Sequence, residues 1–168
     1  MAGIYAATYT GTITNAGGDV DLGSFSPADD QPIRLWGFVL SQISEVGDAA
    51  EEGLRVTLRR QPATMTVGSG GSAITATKPL ADYTGGSTWT MTARGNDTTV
   101  ATTSGTGEIL AELGWNERMS PFDFWYPSDK FAPVMRQSGG TLAGMVIRQE
   151  TTAADDYTGC FTFFIEEP

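Results

Sequence analysis

The sequence predicts an all-β protein, an antiparallel β-sandwich of jelly-roll type, on three observations. Apolar residues recur in short alternating runs, glycine-rich turns punctuate those runs, and long helical periodicity is missing. The chain has 168 residues, 21 of them glycine, and is read as a single domain over 1–168. A domain of this size buries roughly 70% of the surface its unfolded chain exposes, so it needs no disulfide or metal staple. The single cysteine, Cys160, has no partner for an intrachain bridge.

The first strand is expected at residues 3–13, with 1–10 a candidate N-terminal docking arm or edge strand. Tyr5 and Tyr9 fall on one face of it. A turn at Asn15-Ala16-Gly17-Gly18 leads to a strand at 18–25. In Leu35-Trp36-Gly37-Phe38-Val39-Leu40, strict alternation puts Leu35 and Val39 on one face and Trp36, Phe38 and Leu40 on the other. Both faces are apolar, so the second needs a cover, either a neighbouring subunit or a loop. Helix is confined to Glu45–Glu52, about two turns.

Leu54, Val56 and Leu58 then alternate with Arg55, Thr57 and Arg59, giving one apolar and one wet face. A long Gly/Ser/Thr-rich loop follows near 61–87. Its Gly68-Ser69-Gly70-Gly71-Ser72 lacks the Gly-Lys-Ser/Thr ending and following helix of a phosphate cradle, and reads as a flexible surface loop. Trp89, Met91 and Ala93 alternate with threonines, and further strands are expected at 98–102, 107–115, 133–136 and 141–148. Phe122, Phe124 and Tyr126 share a core-facing side of one strand, whereas Trp125 points the other way, towards an interface or ligand. Phe161, Phe163 and Ile165 alternate with Thr162, Phe164 and Glu166 at the end.

The formal net charge is −10, and the basic residues are scattered apart from Arg59-Arg60, which argues against a nucleic-acid partner. There is no histidine, which rules out Ser-His-Asp and Cys-His catalysis and makes a zinc site improbable. The paired carboxylates Asp29-Asp30, Glu51-Glu52, Asp155-Asp156 and Glu166-Glu167 read as solvated, as does the polar turn Asn96-Asp97-Thr98. Asp19-Val20-Asp21, with both carboxylates on one face, is the calcium candidate, again with a solvated turn preferred. Met1-Ala2-Gly3-Ile4-Tyr5 lacks the pattern of a secretory signal, and no apolar run approaches the ~20 residues of a membrane span. The expectation is a soluble, non-enzymatic protein with no catalytic residues, metal ligands, cofactor or membrane partner.

Five segments carry a family resemblance, in chain order: Leu40–Val56 (LSQISEVGDAAEEGLRV), Gly68-Ser69-Gly70-Gly71-Ser72, Lys78-Pro79-Leu80, Asn96-Asp97-Thr98-Thr99-Val100-Ala101, and Gly159–Glu167 (GCFTFFIEE). Together they resemble a family of small phage and prophage virion proteins, from about residue 35 to the end. The resemblance implies a jelly-roll domain with a structural role, since similar small jelly rolls serve as capsid decoration, or cement, proteins, often as trimers. It brings no catalytic motif. The function expected is decoration and stabilisation of a phage capsid, on the exterior of the virion, with the major capsid protein as partner and the chain as a homotrimer. Tyr5, Tyr9, Trp36, Phe38, Leu40 and Trp125 are the candidate subunit or capsid interface. The alternative is a tail or head-fibre component that binds glycans.

Overall fold

The computed structural model describes residues 3–14, 18–44, 53–78, 89–116, 121–137, 143–150, 153 and 155–168. They form β1 (Gly3–Ile13), β2 (Val20–Ser26), β3 (Ile33–Gln42), β4 (Gly53–Gln61), β5 (Met65–Thr66), β6 (Ser72–Ala73) and β7 (Thr75–Thr77). After these come β8 (Thr92–Gly95), β9 (Thr102–Thr103), β10 (Glu108–Asn116), β11 (Phe122–Trp125), β12 (Val134–Met135), β13 (Gly144–Gln149) and β14 (Tyr157–Glu167). The helix expected at Glu45–Glu52 lies outside the described residues. Among the described residues no helix is long and apolar enough to cross a membrane.

The strands make an antiparallel β-sandwich. Sheet 1 runs β11-β3-β14-β1-β7, with β12 also on β3; sheet 2 runs β10-β4-β13-β2-β8-β6. A small ladder of β5 and β9 stands apart. Four of the pairings nest along the chain: β1 pairs with β14, β2 with β13, β3 with β11 and β4 with β10.

Alternation drives the packing, because successive side chains of a strand point to opposite faces. Leu54, Val56 and Leu58 of β4 and Phe161, Phe163 and Ile165 of β14 all enter one core shared by the two sheets. Phe25 meets Phe163 edge-on across it, with ring centroids 5.0 Å apart, and Trp115 does the same to Tyr157 at 5.8 Å. Phe122, Phe124 and Tyr126 pack against this core, as their shared face predicts.

Three expectations are corrected. In β3, Leu35, Phe38 and Leu40 all point into the core and are fully buried. The cause is a bulge: Phe164 pairs with Gly37 but Ile165 pairs with Leu35, which leaves Trp36 as an extra residue that resets the alternation. Phe38 and Leu40 are therefore core residues, not interface residues, and β3 has no second apolar face of the kind expected.

Second, Gly3–Ile13 is not a free arm. It is registered on β14 along its whole length, and β7 covers its other edge from Ala6 to Thr8. Tyr5 and Tyr9 do share a face, but it is the inner one: Tyr5 is buried and Tyr9 stacks on Phe161.

Third, the Gly68–Ser72 segment is held in place. Ser69 and Thr99 exchange backbone hydrogen bonds of 2.9 Å, and Gly71 N–H donates to Asp97 Oδ1. A Cβ on Gly71 would lie 2.1 Å from the Gly95 carbonyl oxygen, so this close approach of two backbones requires glycine. On the outer face of sheet 2, Met65 and Ala101 close over Val146.

Candidate functional site

On the outer face of sheet 1, Ile4, Thr8, Asp123 and Trp125 are exposed. The pleat brings its side chains out in rows. One row, across β11, β3, β14 and β1, is Trp125, Gly37, Phe164 and Ala6; the next is Asp123, Val39, Thr162 and Thr8. Trp125 is 48% exposed and its ring centroid lies 4.6 Å from that of Phe164. Beside it, Trp36 Nε1 and Arg34 Nη1 both donate to Glu166 Oε2 at 3.0 Å, and the Arg34 guanidinium lies 5.6 Å from the Trp36 ring centroid. Glu166 thus fixes a tryptophan and an arginine at once, a charge-assisted arrangement that costs little entropy when the patch meets a ligand.

Of the six expected interface residues, Trp36 and Trp125 lie on this outer face. Tyr5, Tyr9, Phe38 and Leu40 lie on the inner side.

Two charge clusters lie on sheet 2, and the sequence concealed the first. Asp21 and Asp97 are both fully buried rather than solvated. Arg148 Nε donates to Asp21 Oδ1 at 2.6 Å, the Ala101 N–H donates to Asp21 Oδ2 at 2.6 Å, and Arg148 Nη2 donates to the Ala101 carbonyl at 2.7 Å. Arg94 grips Asp97 through Nε and Nη2, and Asp21 and Asp97 exchange backbone hydrogen bonds of 3.1 Å. Burial pushes the Asp21 carboxyl above its ordinary value, against the pull of Arg148 and the Ala101 N–H. The calcium candidate is thus answered by an arginine. Among the described residues, no three acidic or cysteine side chains come together as metal ligands. Alternation sets Asp21 opposite the core residues Val20 and Leu22, on the face that reads as solvated; its burial comes from Arg148 and the Ala101 backbone, which sequence spacing does not reveal.

The second cluster is a ladder of ions along β4. Glu150 accepts from Arg55 Nη1 at 2.6 Å, Thr57 Oγ1 at 2.6 Å and Arg59 Nε at 2.7 Å. Arg55 also pairs with Glu112, and Arg60 with Glu108. Burial works to raise the Glu150 carboxyl, but the Thr57 hydroxyl and the two guanidiniums outweigh it and hold it below its ordinary value. A shallow recess of about 310 Å³ beside this ladder is lined by Gly53, Leu54, Arg55, Glu112, Leu113 and Gly114. Its charged groups are Arg55 and Glu112, which are engaged with each other.

No protein-family model matches this chain, and no curated protein matches it significantly.

Proposed function

We propose that this chain is a non-enzymatic structural protein of a phage virion, which decorates and stabilises the capsid from outside as a homotrimeric cement protein. The nested strand pairing supports reading the sandwich as a jelly roll, in which one long antiparallel ribbon is rolled into two sheets. The observation that carries the assembly role is the open side of the sandwich. β10 ends sheet 2 and β11 ends sheet 1, each with one edge unpaired among the described residues, and residues 117–121 join them. Exposed apolar side chains flank these edges on β10, at Ile109 and Leu110, and Phe131 is exposed in the connection after β11. Unpaired edges with apolar flanks are suited to strand addition by a neighbouring chain. The carboxylates of the two charge clusters are held by arginines of the same chain, which fits a structural role better than acid–base chemistry.

The test is mass and partner. Light scattering after gel filtration should give three times the chain mass, and the protein should sediment with expanded capsids in a fixed ratio to the major capsid protein. Replacing Leu110 by Lys should leave the sandwich folded while weakening both associations about ten-fold or more. A monomer that ignores capsids, or one that sediments with isolated tails alone, would remove the proposal.

A further inference from the structure

Trp125 faces Gly37 of β3 in the sheet register. A Cβ at Gly37 would stand 2.7 and 2.9 Å from the indole carbons Cε3 and Cδ2, and 2.5 Å from the Phe124 carbonyl oxygen. Glycine here lets the indole lie down over the sheet, with Phe164 along its side. Packed beneath and at one edge, the ring is still 48% exposed, so it presents an aromatic face to solvent. The neighbouring row is mostly polar: Asp123 and Thr8 are exposed at its ends, with half-buried Val39 and Thr162 in register between them. Four strands at ~4.8 Å spacing make this row about 14 Å wide, and Thr75 of β7 continues it beyond Thr8.

We infer that this face is a binding site for a neutral polysaccharide, with one pyranose ring stacked by its C–H face on Trp125. The sugar hydroxyls donate to the Asp123 carboxylate and exchange hydrogen bonds with Thr162 and Thr8. Three observations select this occupant. An apolar protein cover would strip water from Asp123 and offer it no replacement, whereas sugar hydroxyls solvate it. Arg34, the cation beside the patch, is already held by Glu166, and the chain carries a net charge of −10, so an anionic polymer is repelled. A ring pinned from below also loses no rotamer freedom on binding. The site does not rest on the capsid role: it uses the outer face of β11 and its neighbours, whereas that role uses the unpaired edges of β10 and β11.

Affinity electrophoresis tests it directly, in gels containing a mannan, a galactan, a β-glucan or, as the anionic control, polygalacturonate. The intact protein should be retarded by at least one neutral polymer and not by polygalacturonate. Trp125→Ala should weaken that retardation about ten-fold or more, Trp125→Phe less, and both should keep the wild-type circular dichroism and light-scattering mass. Free migration in all three neutral gels would overturn the inference, and so would undiminished retardation of Trp125→Ala. Loss of the oligomer in Trp125→Ala with glycan retardation intact would also overturn it, by making the face a protein interface.

Discussion

Asp21 carries more structure than its size suggests. Its carboxylate, fully buried, joins β2 to Arg148 of β13 and to the backbone of Ala101, and so fastens the stretch between β8 and β9 over sheet 2. A buried ion pair gains little over a well-packed apolar pair, but removing one partner strands the other charge out of water. Asp21→Ala should therefore lower the unfolding free energy by about 3–5 kcal/mol in urea titration. Asp21→Asn should cost less, because its amide oxygen still accepts the Ala101 N–H. Equal losses for the two variants would mean that the hydrogen bond contributes nothing. Arg94 and Asp97 repeat the device three residues apart, on the turn where Asn96 adopts a positive φ of 57°.

Among the elements, the ladder along β4 depends on pH through Glu150. A carboxylate held below its ordinary value of 4.5 stabilises the fold fully above that pH, and loses the contribution as pH falls through its depressed value. Glu150→Gln should thus cost roughly 1–3 kcal/mol at neutral pH. The gap in melting temperature between the two proteins should hold down to pH 4.5 and close below it. A gap that widened in acid would contradict the direction of the shift. How far elements were legible in the sequence depended on where their alternation is set. β4 and β14 alternate without interruption on the core side, so Leu54, Val56, Phe161 and Phe163 were readable as core residues. β3 was misread beyond Trp36, because its bulge is opposite Phe164, more than 120 residues away, and no local pattern encodes a partner's register. Trp125 was readable as outward-facing. Its seat on Gly37 was not, since that contact exists only once β11 has paired with β3.

At the scale of the whole molecule, the arginines Arg34, Arg55, Arg59, Arg60, Arg94 and Arg148, all among the described residues, are engaged in ion pairs with this chain's own carboxylates. The sandwich is closed by β1 on β14, with Gly3 opposite Glu167 and Ile13 opposite Tyr157. Removing residues 3–10 takes Tyr5 and Ala7 from the interior and bares the edge of β14, a loss comparable to the roughly 5–15 kcal/mol margin of a whole domain. The truncated chain should lose its near-ultraviolet circular dichroism; a folded truncated protein that merely bound capsids less well would restore the arm. The same closure has a consequence for biosynthesis. At roughly 5–20 residues per second, β1 waits on the order of ten seconds after leaving the ribosome before its partner strand exists. During that interval Tyr5, Ala7, Tyr9 and Ile13 are an unmatched β-forming segment in a crowded cell, a stretch that chaperones shielding nascent chains would hold until β14 is made.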